Sequence, residues 1–391
     1  MSETGTKPTA VQFGAGNIGR GFTAQLFYES GLQVVFVDVV ESVIGTLNSE
    51  GRYTIRIVGP GARDVPIAGI RAVSGLDRAR VAEEIAACAV ACTAVGAGAL
   101  RHIAASIAAG LAMRLERNGT PLNILVCENL HEAGATLRSL VAERLPDDRR
   151  DAVLSRTGFA QAVVSRMVPL QPVEPEEPLM IRVEEYKRLP IDARALVAGM
   201  PAVVGVEPVA NFEAHEARKL FTHNCAHATL GYLGWLAGLR YGHQALGDDG
   251  VRSTLDRVLD ETGQALMRRH GFGPDEHHAH VSDLLRRFAN VELGDTCYRL
   301  ARDPLRKLAP HDRLVGAARL CEAERVEPSA LASVIGAALH FDAAEDASAV
   351  ELQRKIASDG LEATLQTVCG IETGESLGGL VTSAYERARH R

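Results

Sequence analysis

The sequence predicts an α/β chain in two parts, a doubly wound sheet domain followed by a mostly α-helical domain. Three observations carry this. Residues 9–38 read strand, glycine turn, helix, strand, acid. Apolar strand-like runs then alternate with helical stretches as far as residue 186, the pattern of a largely parallel sheet covered by helices. After Pro208 the strand signals give way to helical periodicity. We place the boundary near 205, giving a nucleotide-binding domain over 1–205 and a helical substrate and catalytic domain over 206–391. A chain of 391 residues has the length for two or three domains.

The first element, Thr9–Phe13, is a short apolar strand. It runs directly into Gly14-Ala-Gly-Asn-Ile-Gly19-Arg-Gly21, and a helix follows over Phe22–Ser30 with apolar Phe22, Leu26 and Phe27. Gly31 stops it. Gln33–Asp38 is a second strand ending in an acid. This is the dinucleotide-binding unit of a Rossmann-type domain. Gly14 makes the tight turn, Gly16 lets the backbone approach a pyrophosphate, and Gly19 lets the helix pack on the sheet. Asn17 and Ile18 stand at the helix N-terminus, whose free N–H groups suit phosphate. Asp38 is placed to accept from ribose hydroxyls. An acid there repels a 2′-phosphate, which favours NAD over NADP.

Downstream, Val39–Leu47 reads as helix. Tyr53–Val58 and Val65–Ile70 read as a hairpin around Gly59-Pro-Gly61. Ala79–Cys88 is helical, and Ala89–Thr93 is a strand. The loop Ala94-Val95-Gly96 then falls at the carboxyl edge of the sheet, where ligands bind. Leu100–Glu116 is a long helix and Leu122–Cys127 a further strand. Asn129, just past it, suits a nicotinamide ribose or carboxamide, or equally an Asx turn or a cap for the next helix. That helix spans Ala133–Leu145. A charged loop precedes Gly158–Pro169, a Pro- and Glu-rich loop covers Pro169–Pro178, and Leu179–Tyr186 alternates as a strand of the first domain. Helices are expected over 211–240, 250–270, 276–290, 311–323, 327–340, 346–357, 360–368 and 374–390.

The formal net charge is −7, which disfavours a nucleic-acid partner. The seven cysteines include no CxxC pair and read as reduced thiols, which suits the cytoplasm. The first residues are polar with no signal core. The longest uncharged run, Ile85–Leu100, falls short of the roughly 20 residues of a spanning helix, so no membrane partner is expected.

Chemistry concentrates in Glu216-Ala-Arg-Lys-Leu-Phe-Thr-His-Asn-Cys-Ala-His227, inside an apolar helical run. On a regular helix over 213–238, with Lys219 at zero, His223 falls near about 40°, Glu216 about 60°, His227 about 80° and Asn224 about 140°. Oxidising a secondary alcohol needs a base for the hydroxyl proton and a donor for the developing oxyanion. Lys219 suits the first role, Asn224 the second. His227 suits orienting the substrate, and Glu216 suits carrying the proton onward. Taken alone, a solvated face with inert core histidines explains the same residues. His223 and His227 have the spacing of metal ligands, but no third ligand is evident and no metal is expected. The cluster His277-His278-Ala-His280 reads as the start of a surface helix.

Lys219-x4-Asn224-x2-His227 resembles the signature of the polyol-specific long-chain dehydrogenases/reductases. Phe13-Gly-Ala-Gly-Asn-Ile-Gly-Arg-Gly-Phe22, Thr93-Ala-Val-Gly96, Cys127-Glu-Asn129, Arg218-Lys-Leu-Phe-Thr222 and Asp303-Pro-Leu-Arg-Lys-Leu308 extend the likeness along nearly the whole chain. The resemblance implies a Rossmann-type domain followed by a helical one, with the site in the cleft and no metal. It implies Lys219 as general base, Asn224 in the oxyanion hole, His227 on the reacting oxygen and Glu216 as proton relay. The implied reaction is D-mannitol 1-phosphate with NAD+ giving D-fructose 6-phosphate and NADH. The same chemistry on a free polyol or an altronate-type sugar acid is the alternative, and a non-catalytic NAD(H) sensor is the alternative of another class. The phosphate would fall to Arg306, Lys307 and Arg313, since guanidinium forks suit phosphate. Gln161 stands where non-phosphorylated polyol enzymes place an oxyanion-donating Asn. His223 stands where an aliphatic residue is expected. The partners implied are a hexitol phosphate and a ketohexose phosphate, in a monomer or homodimer.

Overall fold

The computed structural model describes residues 7–169, 171 and 176–389. Residues 1–6, residues 170 and 172–175 of the predicted loop, and residue 390 of the last predicted helix lie outside it. The contacts divide the chain into two units, 1–212 and 213–391. Among the described residues no helix is long and apolar enough to cross a membrane.

The first unit has strands β1 (Thr9–Phe13), β2 (Gln33–Asp38), β3 (Arg52–Ile57), β4 (Arg63–Ala68), β5 (Arg71–Ser74), β6 (Val90–Thr93), β7 (Leu122–Val126), β8 (Thr157–Gln161), β9 (Ile181–Val183), β10 (Leu189–Asp192) and β11 (Val206–Val209). Six form one sheet in the order β5-β2-β1-β6-β7-β8. Every pairing in it is parallel. The order reverses between β1 and β6, so their carboxyl ends open a switch point where ligands bind in such sheets. Register makes this specific. Phe13 pairs with Val37 and Thr93, and Thr93 pairs with Val126. Gly14, Asp38, Ala94 and Cys127 therefore leave the sheet side by side.

Both faces of the sheet are covered, which is why its strands read as unbroken apolar runs. On one face Ala10, Val34, Phe36, Cys92 and Leu125 pack with Phe22, Leu26 and Phe27. On the other, Val11, Phe13, Val35, Val37 and Ile124 pack with Ile85, Leu100 and Ile107. The predicted hairpin forms as β3–β4, and β9 joins it in parallel. The strands β10 and β11 pair in a small parallel sheet, which ties residues 206–209 to the first unit.

Local differences have physical causes. The second helix begins at Glu41 rather than Val39, because the Asp38 carboxylate accepts the N–H groups of Val39 and Val40 at 2.7 and 3.0 Å. The charged stretch taken as loop holds a helix, Asp147–Leu154, with Asp147 and Asp148 in its first turn against the helix dipole. It has almost no apolar face to betray it. The strand β5 is only four residues, too short for a period to register.

The second unit is helical around one core that includes Tyr232, Leu331, Ile335 and Phe341. Its longest helix, Asp249–His270, is capped by the Asp248 side chain and ends at Gly271. All seven cysteines are buried free thiols.

The run expected as one regular helix over 213–238 is interrupted. Phe212–Arg218 is α-helical, Lys219–Asn224 forms a π turn, and Cys225–Leu236 is α-helical again. A π turn takes an extra residue. Everything beyond it rotates back by roughly one residue's step of about 100°. Asn224 thereby moves from about 140° to about 40° from Lys219, and His227 to about 20° on the other side. The regular wheel spread these residues too widely.

Candidate active site

The glycine loop in the first unit is shaped by two demands. Gly14 has φ 87°, and a Cβ there would lie 2.3 Å from the Ala94 carbonyl oxygen. A Cβ on Gly19 would lie 1.9 Å from the Gly14 carbonyl oxygen. Both are glycine because the chain packs on itself. Gly16 differs: it is exposed, and a Cβ there would meet nothing within 4 Å. Its bare backbone leaves room beside the start of a helix for an anion's oxygens. Asn17 is exposed and Ile18 half-buried at that same start. Arg20 fastens the loop by donating to the Ala15 and Leu179 carbonyls, both at 2.6 Å.

Asp38, expected from the sequence to face ribose hydroxyls, also holds the loop together. Its Oδ2 accepts from the Ala15 N–H at 2.6 Å, linking the end of β2 to the glycine loop, while Oδ1 takes Val39 and Val40. A carboxylate has about four lone-pair sites, so Oδ2 keeps acceptor capacity.

Sequence reasoning pointed to Asn129 and passed over its neighbour. Glu128 is buried, and its two oxygens accept from Val95 N–H at 2.9 Å and Gly96 N–H at 2.8 Å. It fixes the Ala94-Val95-Gly96 loop. The available signal was an acid just past the end of β7, beside the loop that follows the neighbouring strand β6. Asn129 is exposed, and the next helix is opened by Glu132 without a side-chain cap, so Asn129 is not its cap. Gln161, at the end of β8, is buried. Its amide faces the 130–134 turn, with long contacts of 3.4 Å to Leu130 and Gly134.

In the second unit the π turn carries Lys219, half-buried, at its start and Asn224, half-buried, at its end, with Glu216 half-buried one turn earlier. The Asn224 amide and the His227 ring make no side-chain hydrogen bond to another described residue. The rings around His227 are closely arranged. His227 stacks on Phe288 with centroids 4.0 Å apart and planes at 24°. His223 stands edge-on to His227 at 4.7 Å and to Phe288 at 5.4 Å. Burial, then Arg287 and Arg313, lower His227 to about 3. Burial, then His227 and Arg287, push His223 well below the ordinary imidazole range. Both rings are therefore neutral at working pH. His227 also borders a small open pocket with Leu230, His243, Asn290, Asp295 and Leu300.

The 277–280 histidines open the helix Pro274–Phe288, but only His278 is exposed. His277 is 2% exposed with neither ring nitrogen partnered. Among the described residues no group of three His, Cys, Asp or Glu side chains is placed to hold a metal.

The three basic candidates for phosphate separate. Lys307 is buried, and its ammonium donates to the Leu300 carbonyl at 2.7 Å and to the Arg302 carbonyl. Burial, with Arg313 and Arg306 nearby, lowers it to about 7. It is spent on the fold, which its sequence neighbourhood did not reveal. Arg313 is nearly buried and paired to Asp312 at 2.6 Å. Arg306 is exposed and paired to Asp303 at 2.6 Å.

With this geometry established, the chain can be set beside known proteins. Residues 8–205 match the family described as Mannitol dehydrogenase Rossmann domain, and residues 211–387 match Mannitol dehydrogenase C-terminal domain. The chain belongs to the mannitol dehydrogenase family. It is 38% identical over 380 residues to a mannitol-1-phosphate 5-dehydrogenase of Brevibacillus brevis, covering 97% of this chain and 98% of that one. It is 40% identical over 376 residues to the enzyme of that name from Bacillus licheniformis, covering 96% and 98%. A solved structure of Pseudomonas fluorescens mannitol 2-dehydrogenase, a ternary complex with NAD and D-mannitol, shares the fold with a TM-score of 0.75 at 17% identity, covering 98% of this chain and 92% of that one. Family membership accounts for a sheet unit followed by a helical unit in one chain.

Proposed function

We propose that this chain is an NAD-dependent polyol-phosphate dehydrogenase interconverting D-mannitol 1-phosphate and D-fructose 6-phosphate. The observation that carries the substrate is the match, at 38% and 40% identity over almost the full length, to relatives named for that reaction. The reaction type is supported by the residues on the π turn.

The first unit fits NAD. Gly16 leaves a bare backbone at a helix start, and Asp38 retains acceptor capacity for ribose hydroxyls beside it. Gly14, Asn17, Ile18, Gly19, Ala94, Val95 and Asn129 complete the binding set. Bound there, NAD supplies the hydride acceptor. The chain's own residues handle the proton and the oxygen. Lys219 takes the proton of the substrate hydroxyl in oxidation and returns it in reduction. Asn224 donates its amide N–H to the oxyanion that develops. The neutral His227 ring orients the reacting oxygen, and Glu216 passes the proton onward. No metal is called on. Arg306, with Arg313, holds the phosphate. Exposed ion pairs such as Arg306–Asp303 are worth little, so a dianionic phosphate displaces the carboxylate readily.

NADH formation on a panel of mannitol 1-phosphate, sorbitol 6-phosphate, free mannitol and altronate tests the reading. Turnover is expected on mannitol 1-phosphate first. Turnover of free mannitol without the phosphate ester would overturn the substrate assignment. Nucleotide binding without turnover of any of them would make the chain a sensor.

Asp38→Ala is expected to weaken NAD binding about 10- to 100-fold, the worth of one or two charge-assisted hydrogen bonds. It should also narrow the preference over NADP. Fluorescence titration with both nucleotides reads this, and an unchanged NAD-to-NADP ratio would refute the role.

A further inference from the structure

An imidazole that handles substrate is commonly held by a hydrogen bond from its second nitrogen. His227 has no such bond to any described residue. Ring contacts take its place. One face lies against Phe288, at 4.0 Å and 24°. The edge-on ring of His223 closes a second side, and His223 is itself edge-on to Phe288. Edge-to-face and stacked rings have preferred geometries, so such a set resists rotation. Phe288 is a firm support. It is 5% exposed and ends the helix Pro274–Phe288, one turn after fully buried Leu284.

We propose that Phe288, aided by His223, is a positioning residue that seats the His227 ring and leaves both its nitrogens for the substrate. This rests on reading His227 as a substrate-binding group. A neutral imidazole has one donor and one acceptor nitrogen, and burial keeps this ring neutral. A polyol offers hydroxyls that both donate and accept. Seating the ring through its face satisfies both ends with substrate, which a hydrogen-bonded tether would not allow. His223 thereby gains a role, since its ring edge stops His227 from turning.

The test compares Phe288→Leu, which removes the ring at similar bulk, with Phe288→Tyr, which keeps it. Phe288→Leu is expected to lower kcat/KM for D-mannitol 1-phosphate about 10- to 100-fold, as small misplacements do. Phe288→Tyr should stay within about two-fold, and in a His227→Ala background Phe288→Leu should add less than about two-fold. Equal losses in the two variants, or an undiminished loss without His227, would overturn the seat. Thermal unfolding verifies folding. If Phe288→Tyr does not fold, His223→Phe against His223→Val asks the same question of the second ring, with the same two outcomes. A second readout needs no turnover. In protein carrying isotope-labelled histidine, the His227 ring signals, assigned by their loss in His227→Ala, should form one sharp set with a fixed close contact to the Phe288 ring. In Phe288→Leu they should broaden or average. Identical signals in both overturn the seat. A wild-type chain inactive on every polyol overturns the assigned function, while the ring signals still decide the seat.

Discussion

Lys219→Ala is expected to lower kcat for mannitol 1-phosphate oxidation by about 10²- to 10⁴-fold, the usual worth of a positioned general base. That is about 3–5 kcal/mol of barrier. The NAD dissociation constant should move far less than kcat, because the residues proposed to hold the nucleotide all lie within 1–212 and do not include Lys219. Lys219→Arg should be nearly as damaging, since a guanidinium keeps its proton and cannot act as base. That pair separates proton transfer from simple charge. Steady-state NADH formation and nucleotide titration read both quantities. A Lys219→Ala enzyme with wild-type kcat would remove lysine from the mechanism.

Stability should fall steeply in mild acid. His223, His227 and His280 are all held neutral in the folded chain. Burial is the largest cause for each, followed by neighbouring groups that disfavour a further positive charge: the His227 ring and Arg287 for His223, Arg287 for His227, and Arg218 for His280, where Asp283 opposes the shift. His227 and His280 are lowered to about 3. In the unfolded chain each titrates near about 6.5. Above that value neither state takes up protons at these rings, and their contribution is fully present. For His227 and His280 the unfolded chain binds one more proton per ring between about 6.5 and about 3, and His223 acts in the same direction. Each of those two then costs about 1.4 kcal/mol per pH unit, so together they cost about 3 kcal/mol per unit. A total stability of about 5–15 kcal/mol is exhausted within a few units. Urea unfolding at pH 7.5, 6.5 and 5.5, chosen as about one-unit steps around the imidazole value, measures the slope. His227→Leu should reduce it by about one proton's share. A flat profile over that range would show that these rings take up protons while folded.

The glycine loop, Asp38 and the alternation of strands and helices were legible in the sequence because they are local. A turn, a strand end and a helix start fall within thirty residues of chain, and each has its own steric signature. The Lys219, Asn224 and His227 spacing was legible for the same reason. Its geometry was not: a π turn has no periodic sequence pattern, and it changes which residues share a face. The helix Asp147–Leu154 escaped notice because its first five residues are all charged and its apolar residues are bunched at the end, with no helical spacing.

Sequence by itself determined the fold class and the nucleotide loop, and it singled out the candidates for proton transfer. Tertiary structure decided which polar groups were already spent. It joined Asp38 to Ala15 and Glu128 to Val95 and Gly96. It turned Lys307 inward onto two carbonyls and brought Phe288 onto the His227 ring. The reason is physical. Propensity and spacing act between near neighbours. A buried polar group or ring takes its partner from whatever the folded chain places beside it, often dozens of residues away.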